Sequence, residues 1–252
     1  MELKNEVKNV ILSSLKGSSD IKIGIEIENI IYNEKNKRLR VNSCDSLSAT
    51  ELLKILKSEK NDLGNYSLEP GGQLEWASIP YGNLNDLEFS IRKQRRLLNN
   101  VLDKKKLKVI PFGLDPHFSP KDIELIDQEK YRLMDKNMVK SGLMGQWMMR
   151  CSSIVQINLD ASSMDDMEEM VFIADCLHPI ASYLFSNSPF KNKKPAYGKN
   201  LRNIVWANTD NLRCNNLFDH GISSRTDLID KYINFFLNVP AIFSLNRKGR
   251  AI

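Results

Sequence analysis

The stretch Ile21-Lys22-Ile23-Gly24-Ile25-Glu26-Ile27-Glu28 decides the fold. Isoleucine holds every odd position, and Lys, Gly, Glu and Glu hold the even ones. A period of two is the mark of a half-buried strand, with the isoleucines facing a core and Glu26 and Glu28 together on the opposite face. Like charges at that spacing repel one another unless a cation sits between them. Charge on an exposed strand face is also common, so the spacing by itself leaves a solvated face open.

The neighbouring segments extend this reading. Leu3, Val7, Val10, Ile11 and Leu15 give residues 3–16 a helical period. Residues 33–37 (NEKNK) read as a turn into a second short strand, Arg38 to Val41. Ser48-Ala49-Thr50-Glu51 is a capping-box pattern that opens a helix to about Lys57. Tyr66 to Ile79 is strand-like but interrupted at Pro70-Gly71-Gly72. A long helix is expected over Asn85–Lys106 with Asn85 as its cap, then a strand over Leu107–Leu114. A helix follows over Asp122–Val139, then a break at Gly142 and Gly145 and a strand over Ile154–Leu159. Ser163 caps a further helix, and residues 186–200 form a loop before helices near 200–208 and 225–238. Strands and helices do not alternate as βα pairs, which predicts an α+β fold with a mainly antiparallel sheet. No composition shift marks a domain boundary, so residues 1–252 read as a single domain.

The composition of the 252 residues is that of an ordinary globular chain: 42% hydrophobic, 27% charged, with 12 Gly and 9 Pro. That excludes a disordered, collagenous or disulfide-stapled protein. The 36 Lys and Arg against 31 Asp and Glu leave a net charge of +5, which suits nucleotides and other small polyanions but does not argue for a nucleic-acid partner. The basic run Arg92, Lys93, Arg95 and Arg96 offers a metal-dependent nuclease as a rival, but it lacks interleaved aromatics for base stacking and reads as a solvated helix face. The most apolar stretch, Met170 to Phe185, contains Asp175, His178 and Pro179 and does not read as a membrane span. The N-terminus carries Glu2, Lys4, Glu6 and Lys8 and is not a secretory signal. Cys44, Cys151, Cys176 and Cys214 are widely spaced, so free thiols and a cytoplasmic location are expected.

A second acidic segment, Glu69-Pro70-Gly71-Gly72-Gln73-Leu74-Glu75, follows the first. Glu69 and Glu75 have the same parity, and the paired glycines permit close backbone approach. A hairpin corner with incidental acids remains the alternative there. With Glu26 and Glu28 the chain offers four carboxylates, a hard oxygen set suited to Mg²⁺ or Mn²⁺. His117, His178 and His220 have no zinc spacing, and His178, beside Pro179 in an apolar helix, reads as a core histidine. No phosphate-binding glycine loop is present, so a bound nucleotide would be met by metal and scattered basic residues.

In combination, IGIEIENI (23–30), SLEPGGQLEW (67–76), GLDPHFSP (113–120), KYRLMDKNM (130–138), GLMGQWMMR (142–150), VQINLD (155–160), LFSNSPF (184–190) and LRNIVWANTD (201–210) resemble the plant-type glutamate–cysteine ligase family, over nearly the whole chain. The resemblance implies a glutamine-synthetase-like fold, a curved antiparallel sheet forming a funnel with helices behind it. It implies ATP-dependent joining of the glutamate γ-carboxyl to the amine of cysteine through a γ-glutamyl phosphate, the first step of glutathione synthesis. The small-molecule partners would be glutamate, cysteine and ATP, with Mg²⁺ or Mn²⁺ as cofactor. It makes Glu26, Glu28, Glu69 and Glu75 the metal ligands and Arg202 the grip on substrate glutamate, with Trp206 beside it. Lys130 and Arg132 would supply catalytic positive charge near a phosphate, with a solvated helix face as the alternative; the resemblance has Gln73, Ser152, Gln156 and Asn158 join Arg202 and Trp206 in binding substrate.

The chain departs from the family pattern in places. Lys130 stands where the family usually has Arg, and Ile154 replaces a hydroxyl residue, leaving Ser152. Family members continue beyond the point where this sequence stops, so a C-terminally truncated ligase domain is expected. Another carboxylate–amine ligase of the same fold, or an inactive fragment or binding module, is the alternative reading.

Overall fold

The isoleucine alternation builds the central strand, β1 (Ile23–Asn33), which is longer than the quoted repeat because Ile30, Ile31 and Tyr32 continue it into full burial. The computed structural model describes residues 2–59, 62–244 and 246. After β1 come α2 (Ala49–Ser58), β2 (Gly64–Leu68), β3 (Leu74–Ser78), α3 (Leu84–Lys104) and β4 (Leu107–Ile110); α1 (Glu2–Leu12) precedes it. The second half contains α4 (Glu129–Ser141), α5 (Gly145–Cys151), β5 (Val155–Leu159), α6 (Met164–Leu184), a small hairpin of β6 (Phe190–Lys191) and β7 (Lys194–Pro195), α7 (Leu201–Ala207) and α8 (Leu228–Asn238). The main sheet runs β2-β3-β1-β4, with β5 also paired to β1, and every pairing is antiparallel. The expected α+β class with a mainly antiparallel sheet is what the described residues show.

Antiparallel partners share a face, so the register sorts the side chains. Ile25, Ile27 and Ile31 of β1 lie on one face with Leu74 and Trp76 of β3 and Tyr66 and Leu68 of β2. The amphipathic helices α2 and α3 cover this face with Leu52, Leu56, Leu98, Val101 and Leu102, and Trp76 and Leu56 are completely buried. Burying side chains of this size stabilises by roughly 1.5–3 kcal/mol each. The opposite face carries Glu26, Glu28 and Glu75.

Local rules explain the boundaries. The Ser48–Glu51 capping box forms as expected and starts α2. The cap of α3 is Asn83 rather than the expected Asn85, because its side chain accepts from the Asp86 backbone N–H and donates back to the Asp86 carboxylate. β4 stops at Ile110 because Pro111 has no N–H for the ladder. The expected strand over Arg38–Val41 reduces to one bridge between Tyr32 and Arg38. Residues 123–128 are not helical, and α4 begins at Glu129. His178 is exposed on α6 and is not the core histidine expected from its apolar neighbours. The second half of α6 also exposes Leu177, Ile180, Tyr183 and Leu184. No helix among the described residues is long and apolar enough to cross a membrane.

Candidate acidic and arginine site

Glu28 of β1 lies directly opposite Glu75 of β3, which lies opposite Ser67 of β2, so the three form one row across three strands. The Ser67 hydroxyl donates to Glu75 at 2.6 Å. Glu69 joins them from the β2–β3 corner, where its N–H donates to the Gln73 carbonyl and its carbonyl accepts from Gly72 N–H. The segment is therefore a hairpin corner whose acids nevertheless share the face of Glu28. Gly72 has φ +75°, a left-handed conformation that favours glycine. Gly71 has no room for a side chain, since a Cβ would lie 2.5 Å from the Arg150 carbonyl oxygen.

One carboxylate oxygen from each of Glu28, Glu69 and Glu75 lies within 4.8 Å of the others, and all three are half-buried. Burial is the largest cause that pushes the Glu28 carboxyl up to about 8; the charges of Glu69 and Glu75 add to it and Arg202 opposes it. Burial also raises Glu69, with Glu75 reinforcing the rise and Lys130 opposing it. Three half-buried carboxylate oxygens this close, with Glu69 and Glu75 repelling Glu28, fit a hard divalent cation, which relieves that repulsion and accepts oxygen ligands at this separation. Glu26 shares the face but is not in the triad; it accepts from Asn158 Nδ2 at 2.8 Å, and Asn158 accepts in turn from Gln156 Nε2. Both amides reach this face because β5 pairs Gln156 with Glu26 and Asn158 with Gly24.

Arg202 approaches from α7. Its backbone N–H donates to the Ser188 hydroxyl, and its guanidinium lies 5.6 Å from the centre of the Trp206 ring. Gly113 leaves space for it, since a Cβ there would sit 3.3 Å from Arg202 Cδ. Arg202 Nε and Trp206 Nε1 are buried donors without a hydrogen-bond partner among the described residues. Burial lowers the Arg202 pKa and the Glu28 charge opposes that effect. Arg202 therefore brings a buried guanidinium within electrostatic reach of Glu28, and a planar fork of this kind pairs with carboxylates.

The other candidates separate. Lys130 is exposed, rests over the Tyr131 ring at 4.5 Å and acts electrostatically on Glu69. Arg132 is not brought to the triad; Asp127 and Glu129 hold it on the exposed surface. Gln73 is 2% exposed and donates to the carbonyls of Met149 and Ser152, so it ties the corner to the end of α5. The Ser152 hydroxyl donates to the Met148 carbonyl within the same turn. Cys151 is buried, which pushes its thiol up to about 12 and keeps it unreactive. Arg38 and Asp115 were not singled out from the sequence, yet they form a buried ion pair beneath the corner. They stand 77 positions apart, a pairing that strand and helix periodicity do not encode.

An antiparallel sheet with helices on one face and a half-buried carboxylate triad on the other, flanked by an arginine stacked on an indole, belongs to a class suited to binding a hard cation together with an anionic substrate. The family comparison gives that class a name: the model of glutamate-cysteine ligase family 2 (GCS2) matches residues 22–251, and the chain belongs to that family. It is similar to glutamate–cysteine ligase, chloroplastic, of Medicago truncatula, 33% identical over 185 residues that cover 72% of this chain and 35% of that protein. It is similar at 32% over 185 residues to glutamate–cysteine ligase A, chloroplastic, of Oryza sativa subsp. indica, covering 72% and 37%. The Arabidopsis thaliana glutamate–cysteine ligase, chloroplastic, matches at 32% over 189 residues, covering 74% and 35%. The chain spans about a third of the length of these curated relatives. Their names correct the expectation of a cytoplasmic location, since the relatives are chloroplastic proteins.

Proposed function

We propose that the chain contributes the cation- and glutamate-binding wall of an ATP-dependent glutamate–cysteine ligase, acting through a γ-glutamyl phosphate in the first step of glutathione synthesis. The observation that carries this reading is the Glu28, Glu69 and Glu75 triad beside Arg202, whose Nε and the Trp206 Nε1 await an acceptor. Family membership supplies the reaction, and the sheet is read as one wall of a glutamine-synthetase-like funnel within a single ligase domain of residues 1–252.

In this reading Glu28, Glu69 and Glu75 hold Mg²⁺ or Mn²⁺, with Glu26 beside them. The cation, when bound, neutralises charge on the nucleotide phosphates. The chain's own residues do the rest. Arg202 takes a glutamate carboxylate on its planar fork while Trp206 covers the guanidinium and adds a donor. That fixes the substrate so that its γ-carboxyl, unreactive toward amines as a carboxylate, is presented for phosphorylation. Gln156 and Asn158 extend the polar wall along β5, and Lys130 adds positive charge near Glu69. Gln73 and Ser152 act from behind, fixing the corner and the end of α5. No side-chain nucleophile is required, in keeping with the buried Cys151 thiol.

The reading is tested by glutamate binding with Mg²⁺ present, measured by calorimetry on the wild-type chain and on Arg202→Lys. The lysine keeps the charge but loses the fork and the stacking, so glutamate affinity should fall at least about tenfold. Equal affinity in the two proteins would return Arg202 to a structural role and sink the assignment.

A further inference from the structure

We propose that Arg38 is a positioning residue for the acidic triad, holding the β2–β3 corner in the conformation that delivers Glu69 to Glu28 and Glu75. Its guanidinium makes two bonds in different directions: one nitrogen donates to Asp115 Oδ2 at 2.9 Å and the other to the Gly71 carbonyl at 2.8 Å. Asp115 is wholly buried and the Arg38 side chain is 6% exposed. The second Asp115 oxygen accepts from the Tyr32 hydroxyl at 2.6 Å and from the His117 and Phe118 backbone N–H groups at 2.9 Å each. One buried carboxylate thus gathers the end of β1, Arg38 and the 115–118 loop, and Arg38 passes that fixed point to the corner.

A buried ion pair is a weak device for stability, because desolvation of both charges offsets their attraction. Its directed hydrogen bonds are better suited to fixing geometry. The corner is held on several sides: Arg38 takes the Gly71 carbonyl, Ile126 N–H takes the Pro70 carbonyl at 2.8 Å, and the Arg150 backbone lies against Gly71. Glu69 is therefore aimed by its backbone. Outside the triad, the charged groups that act most on Glu28 and Glu69 are Arg202, Lys130 and Glu26, and Arg38 is not among them, so Arg38 works through the corner. Outer partners that orient ligands typically change metal affinity 10–100-fold when removed.

This inference rests on the cation reading, and one experiment separates the two. Mn²⁺ binding to the full chain is measured by calorimetry for wild type, Glu28→Gln, Arg38→Lys and Tyr32→Phe, with circular dichroism of each. Wild type should take up Mn²⁺ and Glu28→Gln should lose most of it. Arg38→Lys, which can meet Asp115 or Gly71 but not both with a planar fork, should bind about tenfold more weakly while keeping the wild-type spectrum. If Arg38→Lys does not fold, Tyr32→Phe, which removes only the hydroxyl on Asp115, serves in its place with a loss of about threefold. Wild-type affinity in a folded Arg38→Lys, or in Tyr32→Phe where that variant is the one read, would overturn the positioning role alone. No Mn²⁺ uptake by wild type would overturn the cation reading and this inference with it.

Discussion

Glu28 is the residue on which most of the electrostatics converge. Its carboxyl is raised from 4.5 to about 8 in the folded chain, chiefly by burial and then by Glu69. The folded state therefore holds this proton more tightly than the unfolded chain does. The stability it contributes is present below about pH 4.5 and is lost as pH rises toward 8. Without divalent cations, the wild-type chain should lose stability between pH 5 and pH 8.5 relative to Glu28→Gln, by on the order of 1–3 kcal/mol. Urea unfolding of both proteins at the two pH values checks this, and parallel losses would contradict it. Added Mg²⁺ should restore much of the wild-type deficit at the higher pH, because it replaces the proton as the partner of the triad.

At the scale of elements, the β2–β3 hairpin carries the site, and its corner is the least tolerant part. Gly71→Ala would drive a methyl into the Arg150 backbone, where neither side can move cheaply. A loss of about 2–4 kcal/mol is expected by thermal unfolding. Gly82→Ala, where a Cβ meets nothing within 4 Å, should stay within about 0.5 kcal/mol. The hairpin also shows what was legible in the sequence. Strand parity paired Glu26 with Glu28 and Glu69 with Glu75, because side-chain alternation is a local property of extended backbone; bringing the two pairs to one face took the family motif as well, since Glu69 lies in the corner beyond β2. The capping box of α2 and the Ser163 cap of α6 were legible because they too are local signals. The short helix α5 was not, since its Gly145 start and Met-rich run carry no helical signal; Gly145 is fixed instead by close packing against Met138. The α3 cap was misplaced by two residues because Asn83 and Asn85 are equivalent until the reciprocal bond with Asp86 selects one. The Arg38–Asp115 pair was invisible because tertiary structure alone brings those residues together.

At the scale of the whole molecule, β5 is exposed along its length and pairs only with β1 among the described residues. Val155, Ile157 and Leu159 lie on the core-facing side of the sheet yet remain about 60% exposed. An uncharged apolar edge strand of this kind favours association. Ile157→Lys should raise the concentration at which the chain stays monodisperse in light scattering; no change would show that this edge is not the sticky surface. The same strand carries Gln156 and Asn158 on the site face, so the polar wall and the apolar back are two sides of one exposed element. Whether triad and arginine act together is decided most directly by calorimetry of glutamate binding to the 252-residue chain with and without Mg²⁺. The account predicts glutamate binding that strengthens with Mg²⁺ and loses that dependence in Glu28→Gln. Glutamate binding that ignores Mg²⁺, or that responds to it equally in Glu28→Gln, would contradict it.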